Sequence, residues 1–153
     1  MRQFMGDLQS IRRNRLAVLA MSDTSELVKC WKTLGVDPEF TMPRAPQTGI
    51  VGLRGRIGGG GDAFNFGEAT VTRATVKLAS GSIGHAYALG RDHTKAKLSA
   101  IIDALCLDDD WSARIEDNII TPLRNQIESR DERRAAETAA TKVDFFTMVR
   151  GED

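Results

Sequence analysis

Residues Arg54 to Ala74 read R-G-R-I-G-G-G-G-D-A-F-N-F-G-E-A-T-V-T-R-A. Four consecutive glycines, Gly58, Gly59, Gly60 and Gly61, stand between two segments in which side-chain character alternates residue by residue. That is the period of a β-strand, whose successive side chains point to opposite faces. From Gly49 to Ile57, Val51, Leu53, Gly55 and Ile57 share one face, and Arg54 and Arg56 the other. From Glu68 to Leu78, Thr72, Ala74, Val76 and Leu78 point one way, and Val71, Arg73, Thr75 and Lys77 the other. The stretch predicts a strand, a glycine turn and a returning strand, with Phe64 and Phe66 on an exposed loop.

Upstream, Phe40 and Met42 followed by Pro43 and Pro46 predict a short edge strand that ends in prolines, which cannot donate to a ladder. Downstream, Ser80-Gly81-Ser82 reads as a hairpin turn into a strand from Ile83 to Leu89. Its residues Ile83, His85, Tyr87 and Leu89 face one side. Gly84, Ala86 and Ala88 face the other, where a helix can pack closely. Every connection is short, whereas parallel crossovers need a dozen residues or more. The expectation is a four-stranded antiparallel meander over residues 38–90.

Helices flank this sheet. Leu8, Ile11, Leu16 and Leu19 recur at helical spacing, and Asp23 with Glu26 has the form of a capping box before Leu27, Cys30, Trp31 and Leu34. Helices are thus expected over 5–35, with Gly35 as the stop. A second helical region is expected over 92–142. There Asp92 is an N-cap candidate, Leu98, Ile101, Ile102 and Leu105 form a stripe, and Thr121-Pro122 is a restart. Residues 128–142 are charged and alanine-rich. A tail over 143–153 then carries Val143, Phe145, Phe146, Met148 and Val149. A hydrophobic tail after a polar helix is costly to leave in water, so it folds back or docks on another subunit. The whole is read as one α+β domain, 1–153.

The chain has 153 residues, with 21 basic and 21 acidic side chains. That neutrality argues against a nucleic-acid binder, which normally shows a clustered basic excess. Cys30 and Cys106 lie far apart in apolar helical patterns, as free thiols of a cytoplasmic protein would. With His85 and His93 they form no metal-binding spacing. No signal peptide is expected, and no apolar run approaches the roughly 20 residues of a membrane span.

Three segments together, R-I-G-G-G-G-D-A-F-N-F-G-E-A-T-V-T-R-A, the G-R-D at Gly90 to Asp92, and V-D-F-F-T-M-V-R-G-E-D at the end, resemble the PhnG family. That family supplies the small subunit of the bacterial carbon–phosphorus lyase core complex. The resemblance spans nearly the whole chain. It implies assembly with PhnH-, PhnI- and PhnJ-like subunits, two copies of each, and a functional link to the PhnL- and PhnK-like ATPase subunits. It also implies a role, with PhnH, PhnI and PhnL, in displacing adenine from ATP by an alkylphosphonate such as methylphosphonate. The product is α-D-ribose 1-methylphosphonate 5-triphosphate. The later C–P cleavage, with its iron–sulfur cluster, belongs to PhnJ, so no cofactor is expected on this subunit alone. The alternative is a non-catalytic scaffold that holds the PhnI and PhnJ subunits together.

The candidate site residues follow from these two readings. Gly58 to Gly61 lack the G-x-x-x-x-G-K-[ST] pattern of a nucleotide-binding loop. A tight turn with a subunit contact is therefore set ahead of a phosphate cradle. Arg54, Arg56 and Arg73, with Lys77, form a cationic strip for a phosphonate or triphosphate if their strands pair face to face. The competing reading is a solvated sheet face. His85 and His93 are the candidates for protonating a leaving purine, against a core or interface histidine and a first-turn helix residue. Phe64, Phe66, Val143, Phe145, Phe146, Met148, Val149 and Arg150 are the expected partner contacts.

Overall fold

The structure is a computed structural model that describes residues 2–56 and 60–141, with side chains described from residue 9 onward. Two helices come first, α1 (Arg2–Met21) and α2 (Thr24–Leu34). The Asp23 carboxylate accepts the Ser25 N–H and starts α2. Gly35, at φ 66°, ends it in a left-handed cap that glycine adopts without strain.

The sheet has three strands in the order β1-β2-β3, all antiparallel: β1 (Phe40–Gly55), β2 (Phe64–Leu78) and β3 (Ile83–Leu89). The expected four strands are therefore corrected to three. The short strand at Phe40 and the strand from Gly49 are one continuous β1. Pro43 and Pro46 do not end it, because both fall inside register shifts, between Thr41 and Arg44 and between Arg44 and Gln47. On an edge strand a missing N–H costs no outer hydrogen bond, and extended backbone suits the fixed φ of proline. Phe64 and Phe66 likewise lie within β2 rather than on a loop.

The alternation in the other strands holds. Thr72, Ala74, Val76, Leu78, Ala86 and Ala88 are buried, and α3 (His93–Leu105) covers them. Gly84 shows how close α3 comes. A Cβ built there would lie 2.1 Å from the Ala100 carbonyl oxygen and 2.4 Å from the Ala104 nitrogen. Asp92 caps α3 by accepting the Lys95 N–H. It also accepts a hydrogen bond from the Thr24 hydroxyl, tying the start of α2 to the start of α3. Burial pushes the Asp92 carboxyl up, but the Lys95 N–H, the Thr24 hydroxyl and the Lys95 charge outweigh it, and the net shift is downward.

Beyond α3, α4 (Asp109–Ile115) runs through a π-helical segment (Glu116–Ile120) into α5 (Thr121–Ala140) without the break expected at Thr121-Pro122. Ile115, Ile119, Ile120 and Leu123 pack with Leu19, Leu27 and Ile102 in one core. Each such side chain contributes about 1.5–3 kcal/mol by leaving water. Residues 131–140 of the final helix are exposed throughout, as their lack of an apolar stripe requires.

Asp103 joins the helices to the sheet. It is 3% exposed. The Arg12 guanidinium donates to both of its oxygens, at 2.9 and 2.7 Å, and the His85 backbone N–H donates to Oδ2 at 2.8 Å. Arg15 bridges α1 to Glu116 at 2.9 Å and to the Ser112 hydroxyl at 2.8 Å. Among the described residues no helix is long and apolar enough to cross a membrane.

Candidate functional site

Among the described residues the sheet is covered on one face only, and α3 stops short of its far end. The stopping point is marked by hydrogen bonds. His93, the first residue of α3, lies 3.0 Å by Nε2 from the Thr48 hydroxyl, which is 3.1 Å from the Thr72 hydroxyl. Thr72 donates to the Gly90 carbonyl at 2.7 Å. A hydroxyl has one proton. Since Thr72 spends its proton on Gly90, Thr48 must donate to Thr72 and accept from His93. The imidazole therefore presents an N–H at Nε2 to Thr48.

Past this level β1 and β2 continue as a two-stranded arm. Ile50 pairs with Thr70, Val51 with Ala69, Leu53 with Gly67, and Arg54 with Asn65. Ile50 lies on the same side as the buried Thr72, yet it is 68% exposed, because α3 no longer covers it. From Thr48 to Gly55 the arm extends about 23 Å, at ~3.3 Å per residue. Near its end the Phe66 ring lies over Gly55, 3.0 Å from where a Cβ would stand. Phe64 meets Phe66 edge-on, with ring centroids 6.3 Å apart. Phe66 remains 60% exposed.

The opposite face of the sheet carries Arg73, Thr75, Lys77, His85, Tyr87 and Leu89, and no described element packs on it. Gln47, Arg73 and Tyr87 lie directly across from one another on the three strands. They border a shallow groove of about 190 Å³ that residues 48–51 of β1 and Val71 also line. The His85 Nδ1 is 3.2 Å from the Thr75 hydroxyl on this face.

The candidates from sequence thus fall in three places. Arg73 lies in the groove on the bare face. Arg54 stands opposite Asn65, some seven residues further along β1 than Gln47, the partner of Arg73. That separation is about 23 Å, so pairing of the strands does not bring Arg54 and Arg73 into one strip. Arg56 follows the end of β1, and Gly60 and Gly61 lie in the segment that leads into β2; Arg54 donates to the Ala63 carbonyl at 3.3 Å. His85 and His93 stand on opposite faces of the sheet and cannot act on one reacting atom. Gly58, Gly59, Val143, Phe145, Phe146, Met148, Val149 and Arg150 lie outside the described residues.

Two features escaped the sequence reading. The exposure of Ile50 depends on how far α3 reaches along the sheet, and that of Tyr87 and Leu89 on which face it leaves bare, neither of which alternation alone encodes. Asp103 was legible in principle: an acid inside I-I-D-A-L needs a buried partner. Among the described residues no group of three or more His, Cys, Asp and Glu side chains is placed to hold a metal ion.

The family model described as "Phosphonate metabolism protein PhnG" matches residues 10–151. The chain is 48% identical, over 142 residues, to the alpha-D-ribose 1-methylphosphonate 5-triphosphate synthase subunit PhnG of Rhizobium meliloti (strain 1021). The match covers 93% of this chain and 90% of that protein.

Proposed function

The chain belongs to the PhnG family of phosphonate metabolism proteins, and on that premise we propose that it is a subunit of the carbon–phosphorus lyase core complex. The complex transfers the ribose 5-triphosphate of ATP to an alkylphosphonate such as methylphosphonate. A phosphonate oxygen bonds to the ribose anomeric carbon as the bond from that carbon to adenine breaks, and adenine leaves. The observation that carries this reading is the likeness, along nearly its whole length, to a protein named as a subunit of that synthase. The partners would be PhnH-, PhnI- and PhnJ-like subunits, with ATP and methylphosphonate as substrates of the whole assembly in the cytoplasm. This subunit would hold no cofactor by itself.

A scaffolding role within that complex is favoured by one specific observation. The exposed apolar side chains are concentrated on the arm and the bare sheet face, while the two histidines are on opposite faces. On this reading Phe64, Phe66 and the tail over 143–150 are partner contacts. Arg73, in the bare-face groove, is the remaining candidate for an oxyanion.

Reconstitution tests both. Adenine release from ATP and methylphosphonate is expected only when this chain is included, and release at the full rate without it would overturn the assignment. Arg73→Gln is then expected to assemble normally and turn over normally if the chain is a scaffold. Normal assembly with lost turnover would place a substrate contact on this subunit.

A further inference from the structure

We propose that the outer edge of β1 between Gly49 and Leu53 takes up an extended segment of a partner subunit, alternating apolar and acidic residues, as an added β-strand. The proposal rests on the reading of this chain as part of a complex.

A three-stranded sheet has two edges, and they are not equivalent here. The β3 edge is occupied where the His85 N–H meets the buried Asp103 carboxylate, which Arg12 holds in place from α1. The first half of β1 is broken by two register shifts and by Pro43 and Pro46, which have no N–H to offer. From Gln47 to Leu53 the register against β2 is regular, residue for residue, from Arg73 to Gly67. Half of the backbone N–H and C=O groups in such a run point away from β2 and can pair with a further strand.

Edges left open to water are normally protected by charges, prolines or bulges. Residues 49–53, G-I-V-G-L, carry none of these. Ile50 and Val51 are exposed, one on each face. At Gly49 and Gly52 nothing lies within 4 Å of a built Cβ. Side chains of an added strand therefore have room beside both glycines and apolar surface beside Ile50 and Val51. Main-chain pairing would supply affinity, and these recesses the selectivity.

Charge identifies the occupant. Between Phe40 and Arg56 the chain has Arg44, Arg54 and Arg56 and no acid. None of these three arginines is in an ion pair among the described residues. A second copy of this edge would bring the same arginines alongside, a like-charge contact that pairing strands avoid. An acidic, apolar segment from another subunit satisfies both the ladder and the arginines.

The test uses the complex purified after co-expression with the other subunits. Amides of residues 49–53 are expected to exchange with deuterium at least tenfold more slowly in the complex than in the chain alone. Arg54→Glu with Arg56→Glu, both exposed, is expected to lower recovery of the complex at least tenfold while the chain's melting temperature is unchanged. If the native chain does not co-purify with those subunits, the complex reading itself fails. If it co-purifies but the edge amides exchange as before, or the double variant assembles as well as the native chain, the edge proposal alone is overturned. Protection already present in the isolated chain also overturns it. Loss of that protection on deleting residues 142–153 would assign the edge to the chain's own tail, and loss on dilution to a second copy.

Discussion

Replacing Gly84 by alanine adds one methyl group at the tightest point between β3 and α3. The added carbon would stand 2.1 Å from the Ala100 oxygen, 2.4 Å from the Ala104 nitrogen and 2.8 Å from the Ala104 Cβ. Two of these are backbone atoms of a helix, so no side-chain rotation relieves the clash. The helix has to retreat by roughly 1 Å, and a close-packed interior resists that displacement. Overpacking of this kind costs about 1–3 kcal/mol, and the rigid neighbours place Gly84→Ala near the upper figure, ~3 kcal/mol. For a chain of this size that is a fall of about 6–12 °C in melting temperature. Gly52→Ala is the matched control, since nothing lies within 4 Å of its built Cβ. It is expected to stay within about 0.5 kcal/mol of the native chain, as surface changes do. Urea unfolding followed by circular dichroism measures both. A Gly84→Ala midpoint indistinguishable from that of Gly52→Ala would refute the claim that α3 seats directly on the backbone of β3.

Two further outcomes follow from the polar contacts between helices and sheet. Asp103→Ala removes the acceptor of the buried His85 N–H and both Arg12 contacts. Arg12 is 40% exposed and recovers water, so the loss is expected at about 2–4 kcal/mol, read from urea unfolding, rather than the full cost of a stranded buried charge. Asp92 has its folded pKa below the ordinary value of 3.8. Its contribution is therefore complete above the unfolded pKa and lost as pH falls through the folded one. Asp92→Ala is expected to cost about 1 kcal/mol at pH 7, with the gap to the native chain narrowing below about pH 4; a gap constant from pH 7 to pH 3 would contradict the capping role.

The periodicity of β2 and β3 was legible because a single helix buries one face and leaves the other bare. Each small residue among Gly84, Ala86 and Ala88 then reports directly on packing. The strand count was not legible, for a local reason. Proline ends a strand whose N–H would be needed, and nothing in F-T-M-P-R-A-P-Q says that this strand lies at an edge. Edge position is a property of the sheet, not of the segment. The same holds for the arginines. Their placement on one strip required a register, and the register at Gln47 and Arg73 is set by the whole β1–β2 pairing.

What the sequence presented as one functional stretch is therefore divided by where α3 ends. His93 marks the boundary through Thr48 and Thr72. On the body side, the apolar residues of β2 face a helix and are buried. On the arm side, Ile50, Val51, Phe64 and Phe66 face water. A monomeric chain gains nothing from extending two strands about 23 Å beyond its core, because each further residue loses conformational entropy without burying an apolar face. A subunit does gain, since the arm's apolar surface can be buried against a neighbour. On the proposed reading, assembly accounts for the arm, and an acidic neighbour for its arginines.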